Sequence, residues 1–128
     1  MRAALGLIEA VGLTTAITAL DAASKAADVK LVGFDKVIGV EKTISVTIHI
    51  AGEVAAVRAA VDAGVEAANR IGKVVSSHVI PRPHDEIDKL MAEFEKNLKA
   101  KRELKSDDKP KKIEESKKKE EATIKASK

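Results

Sequence analysis

Histidine, serine and the carboxylates are the side chains with which this chain could do chemistry, because it has no cysteine. Thiolate catalysis, disulfides and thiolate metal sites are thereby excluded, and a reducing cytoplasm suits the composition. The three histidines, His49, His78 and His84, show no metal-ligand spacing among themselves or with carboxylates. Ser77 directly precedes His78, but adjacent strand residues point to opposite faces, so it does not form a nucleophile–base pair with it. His49 and His78 fall on different predicted strands and could converge in space. With Ser77 they are the polar groups available for a small-molecule pocket. The glycines at 6, 12, 33, 39, 52, 64 and 72 are dispersed, and neither G-x-G-x-x-G nor G-x-x-x-x-G-K occurs, so no phosphate loop is present. These residues predict no catalytic site, no metal and no cofactor.

Charge excludes a further class of function. The formal net charge is +3, and residues 85–128 hold 14 of the 23 Lys and Arg but also 12 of the 20 Asp and Glu. Phosphate binding needs surplus positive charge, and single-strand binding adds stacking aromatics. No aromatic follows Phe94, so a nucleic-acid partner is not expected. The N-terminal MRAALGLIEAVGL is interrupted by Gly6, Glu9 and Gly12 and is followed by no small-residue cleavage pattern, so a secretory signal is not expected. No apolar run reaches the length of a membrane span.

The elements that must position these residues follow from periodicity. Residues 4–10 read as a strand ending at a Gly12 turn. From Leu13 the positions Leu13, Ile17 and Leu20, with Ala16, Ala23 and Ala27 beside them, fall at helical spacing and predict a helix over 13–27. A second strand covers 29–37, with a connection around Ile38–Lys42. In the third, Ile44, Val46, Ile48 and Ile50 alternate with Ser45, Thr47, His49 and Ala51. A helix over 53–71 carries the stripe Val54, Val57, Val61, Val65 and Ala68, with Arg58, Asp62, Glu66 and Arg70 opposite. Gly72 ends it, and KVVSSHVI forms the fourth strand, closed by Pro81 and Pro83.

This order is β-α-β-β-α-β, the ferredoxin-like pattern: an α+β fold with a four-stranded antiparallel sheet and both helices on one face. The chain thus divides into a domain at 1–84, an amphipathic helix at 85–105 and a charged tail at 106–128. Ile87, Leu90, Met91, Phe94 and Leu98 give the helix an apolar stripe, which can pack on its own domain or pair with a neighbour; self-packing is the simpler expectation. Asp85 and Glu86 in its first turn suit the helix dipole. The tail has too little apolar surface to repay ordering, so disorder is expected. The core stock is mostly Ala and Val, with Phe34 and Phe94 the only aromatics. Small side chains bury little apolar area each, which favours association.

ALGLIEAVGL at 4–13, LVGFDKV at 31–37, AGEVAAVRAAVDAG at 51–64 and SHVIPRPH at 77–84 closely resemble the bacterial microcompartment shell proteins of the hexameric, single-domain class. The likeness covers roughly residues 3–90. It implies a homohexamer that tiles edge to edge into the facets of a cytoplasmic protein shell, beside other shell proteins and with encapsulated enzymes as candidate partners. It also implies a central pore for small polar metabolites. By motif, Lys25 and Arg82 match residues at the junction between hexamers, with His84 and Asp28 beside them; Asp28 stands where the family often has Asn. The pore stretch departs from the family: Val37, Ile38, Gly39, Val40, Glu41 and Lys42 replace a shorter glycine- and serine-containing loop, and the segment from Lys36 to Gly52 is about four residues longer. An apolar ring of Ile38 or Val40, or a charged ring of Glu41 or Lys42, would alter the pore's width and polarity. The competing reading is a small-molecule-binding regulatory oligomer on the same scaffold. Diol, ethanolamine and glycyl-radical compartments all remain open as the enclosed pathway.

Overall fold

The computed structural model describes residues 3–40 and 42–107. Its elements are β1 (Ala4–Val11), α1 (Leu13–Ala26), β2 (Lys30–Val40), β3 (Thr43–Gly52), α2 (Val54–Ile71), β4 (Val74–Ile80) and α3 (Asp85–Asp107). The four strands form one sheet in the order β2-β3-β1-β4, every pair antiparallel. This is the ferredoxin-like arrangement that the element order predicts.

Alternation along the strands decides which side chains meet the helices. Ala4, Ile8 and Ala10 of β1 and Val46, Ile48 and Ile50 of β3 are buried in one cluster with Ala16, Ala19 and Ala23 of α1 and Val57, Ala60, Val61 and Ala68 of α2. Fully burying an aliphatic side chain the size of Ile8, Ile48 or Ile50 contributes about 1.5–3 kcal/mol. The small residues let the layers approach closely. A Cβ on Gly64 would lie 2.8 Å from the Ala19 carbonyl oxygen and 2.8 Å from Ile8 Cδ1. The buried stripe of α1 is its alanine face, Ala16, Ala19 and Ala23, whereas Leu13 and Ile17 are each 51% exposed.

The expected connection at Ile38–Lys42 is corrected. The β2 strand continues to Val40 and β3 begins at Thr43, with Ile38 opposite Ile44 and Val40 opposite Thr43. The β-branched residues Val37, Ile38, Val40, Thr43 and Ile44 suit a pleated ladder better than an open loop. The irregularity lies between Ile38 and Val40, where Gly39 adopts φ 108°, a conformation that glycine tolerates without a Cβ clash. At the turn Lys42 has φ 61°, and the Thr43 hydroxyl donates to the Val40 carbonyl at 2.8 Å.

The chain divides into two units after Glu95. Within the first unit, the early turns of α3 lie on the sheet face opposite α1 and α2. Ile87, Leu90, Met91 and Phe94 line one groove with Leu5, Leu7 and Ile80, and Lys30 pairs with Glu95 at 3.1 Å. The apolar stripe thus lies on its own domain up to Phe94, with Ile87, Met91 and Phe94 half-buried and Leu90 still 44% exposed. Of the second unit, the backbone is helical through Asp107; most of the expected tail lies outside the described residues.

Candidate functional site

The register sorts the candidate residues into two groups at opposite ends of the strands. At one end, Ala4 pairs with Gly52, Lys30 with Ala51 and Leu5 with Ile80. Here lie Lys25 in the last turn of α1, Asp28 just before β2, and Arg82 and His84 just after β4. All four are exposed. The Lys25 ammonium donates to Asp21 at 2.7 Å across one helical turn, a solvated pair of the kind worth well under 1 kcal/mol.

His84 has a local role that its motif does not reveal. Its Nδ1 accepts from the Glu86 backbone N–H at 3.2 Å, and its carbonyl accepts from Ile87 at 2.8 Å. It therefore caps the start of α3, where the first N–H groups have no partner within the helix.

At the opposite end stand the β2–β3 turn, the start of α1 and the end of α2. Ile38 is 84% exposed and its cross-strand partner Ile44 is 54% exposed. Val37 and Lys42 are exposed, Gly39 forms the irregularity and Val40 is half-buried; Glu41 lies outside the described residues. Neighbouring backbone is tied in: Gly12 N–H donates to the Ile44 carbonyl at 3.0 Å and Val11 N–H to the Lys73 carbonyl at 2.9 Å. Other large apolar side chains left exposed at this end are Leu13, Ile17, Ile71 and Val75.

On the face bearing α3, a polar row crosses the sheet. Asp35, Thr47, Glu9 and Ser76 are in register on β2, β3, β1 and β4. The Glu9 carboxylate accepts from Ser45 at 2.6 Å and from Ser76 at 3.3 Å, which satisfies a charge placed between apolar neighbours. Sequence reasoning passed over this cluster; a lone glutamate inside an apolar strand was its signal. The next row is Gly33, His49, Leu7 and His78. His49 is 6% exposed and stacks at a tilt on Phe94, ring centroids 5.0 Å apart. Burial holds its imidazole below the ordinary value, with Asp35 opposing the shift.

The three residues named for a small-molecule pocket do not come together: Ser77 and His78 border one groove beside Arg58 and Asp62, and His49 lies in another. Ser77 pairs with Ile8 on the helix-bearing face, and His78 is separated from His49 by Leu7 on the other. Among the described residues, no group of three or more His, Asp and Glu could hold a metal ion, and no helix is long and apolar enough to cross a membrane.

Comparison with known proteins agrees with the fold. The family model described as "BMC domain" matches residues 4–83. The bacterial microcompartment shell protein PduA of Citrobacter freundii is 48% identical over 88 residues, covering 69% of this chain and 90% of the relative. EutM of Salmonella typhimurium, also a microcompartment shell protein, is 52% identical over 87 residues, covering 68% and 86%. The carboxysome shell protein CcmK2 of Synechocystis is 43% identical over 93 residues, covering 71% and 86%. Among solved structures, a microcompartment protein from Desulfitobacterium hafniense superposes with a TM-score of 0.61 at 36% identity. That match covers 70% of this chain and 48% of the other, so the chain spans about half the length of that protein. These relatives are structural shell proteins rather than enzymes, and the chain belongs to their family, the BMC-domain shell proteins of bacterial microcompartments.

Proposed function

We propose that the chain is a shell tile. Six copies close into a ring, rings meet edge to edge in the facets of a cytoplasmic microcompartment, and the β2–β3 hairpins surround a central pore for small polar metabolites. The observation that carries this reading is the separation of the two residue groups along the strands. The eight residues of β1 alone span about 25 Å, enough to keep an edge group and an axis group in separate contacts.

Exposed apolar surface supports the same orientation. Leu13, Ile17, Ile38, Ile44, Ile71 and Val75 are left uncovered around the hairpin end in a single chain. A soluble protein that leaves many large apolar side chains in one region gains from covering them with a partner. A ring built on one repeated heterologous contact covers them and closes. At the other end, the exposed and mostly charged Lys25, Asp28, Arg82 and His84 suit a reversible junction between rings. Other shell proteins with a similar edge could enter the same sheet, and enclosed enzymes would meet one of its faces.

The hairpin makes this pore unlike that of shorter relatives. Two extra residues per strand lengthen it by about 7 Å. Val37, Ile38 and Val40, paired with β3, then form the rim with Gly39 and Lys42, and Ile38 is its apolar constriction in place of a small-residue loop. Such a constriction slows polar solutes by dewetting.

Negative-stain microscopy of the purified chain tests the tile. Hexagonal sheets, tubes or rings of six are expected, and Lys25→Ala and Arg82→Ala should keep the rings while impairing sheet growth. A small oligomer that never forms sheets, even after truncation at Ser106, would sink the tiling claim. Loss of the ring itself in either variant would show that these residues do not belong to the outer edge.

A further inference from the structure

His49 takes no part in the proposed ring or pore, yet among the described residues it is the buried polar side chain with an unsatisfied atom. Its Nδ1 is buried without a hydrogen-bond partner. The local geometry shows why. On β2 the residue opposite His49 is Gly33, and a Cβ there would lie 3.0 Å from Phe94 Cβ and 3.7 Å from His49 Nδ1. The bare glycine lets Phe94 settle over the imidazole and close the space around that nitrogen. A groove of about 250 Å³ opens beside α3, but Nδ1 is sealed from it, so a molecule in the groove would not reach this atom.

A neutral imidazole tolerates this position at modest cost, because one ring nitrogen carries no proton and acts only as an acceptor. A protonated imidazole does not. Both nitrogens then carry N–H, and the Nδ1–H would be buried with its charge and no acceptor.

We propose that His49 is an acid-release latch: when neutral it seats Phe94 and the first turns of α3 on the sheet, and when protonated it lets residues 85–95 lift off and uncover Leu5, Leu7 and Ile80. The surrounding charges make the direction definite. From β2, Asp35 is the carboxylate that acts on His49, and it opposes release; burial outweighs it. From β1 the facing residue is Leu7, and Glu9, two pairs further along, is already engaged by Ser45 and Ser76. From β4, His78 lies beyond Leu7. From α3 the contact is Phe94, while Glu95 is paired with Lys30.

Burial lowers the docked imidazole below its ordinary value of 6.5, to which release returns it. The released state therefore binds more protons. Docking is at full strength above about pH 6.5 and weakens as pH falls through that value toward the lowered one.

Amide hydrogen exchange of the full chain, followed from about pH 7.5 to 5 and corrected for intrinsic rates, tests the latch. Protection of residues 86–95 should fall by up to about tenfold per pH unit below 6.5, the limit for one proton, while β1 and β3 stay protected. The non-titrating His49→Gln should abolish this pH dependence, and Asp35→Asn should deepen it. Flat protection in the wild type, or an unchanged acid response in His49→Gln, overturns the proposal. If His49→Gln undocks the helix at every pH, NMR titration of His49 in the wild type decides: a pKa at or above 6.5 refutes the latch, and one below supports it.

Discussion

Ile38→Thr separates a rim that packs against its neighbours from one that merely projects into water. Threonine keeps the β-branch, so strand preference is largely conserved, and it replaces the terminal ethyl of isoleucine with a hydroxyl. In the isolated chain Ile38 is 84% exposed, so its apolar body contributes almost nothing there. The variant should change single-chain stability by no more than about 0.5 kcal/mol, as is usual for surface substitutions. In a ring whose hairpins meet, the same side chain becomes buried. Full burial of an isoleucine is worth about 1.5–3 kcal/mol, and most of that is still to be gained at this position. A loss of about 1–2 kcal/mol per copy follows, repeated around the ring. The assay is the urea midpoint for ring dissociation, read by sedimentation at fixed protein concentration because association is coupled to it. A clear drop is expected, with far-ultraviolet circular dichroism unchanged at low urea. An unchanged dissociation midpoint would refute the packed rim and leave Ile38 in open solvent.

Other perturbations test the fold that presents these sites. Gly64→Ala gains about 1 kcal/mol of helix propensity, but its Cβ would meet the Ala19 backbone oxygen at 2.8 Å. Backbone cannot rotate aside as a side chain can, so overpacking of about 1–3 kcal/mol should win, and the melting temperature should fall by several degrees. His84→Ala should remove the cap on the Glu86 amide and cost α3 about 1 kcal/mol, seen as faster exchange at Glu86–Asp88. Asn is a strong capping residue, so His84→Asn should restore most of that protection.

The sequence alone determined the elements, their order and the family. Isoleucine alternating with polar residues from Ile44 to Ala51 can bury one face only as a strand. The α2 stripe repeats at a period only a helix satisfies. These signals are local, and a short stretch of chain contains all of each. The likeness carried by SHVIPRPH and the segments before it is likewise written in residue order.

What the sequence misjudged depends on distant partners. Helical spacing marks Leu13, Ile17 and the alanines of α1 alike as apolar, and only packing turns the alanine face inward, because Gly64 brings α2 close to the Ala19 backbone. The segment at Ile38–Lys42 reads as a connection beside shorter relatives, whereas pairing with β3 holds it as strand to Val40. His49 looks like an ordinary polar-face histidine until Phe94, 45 positions away, closes over it across Gly33. Only the folded sheet brings Lys25, Asp28, Arg82 and His84 to one end and the hairpin to the other. Register is a long-range property set by which faces become buried together, and no window along the chain contains it.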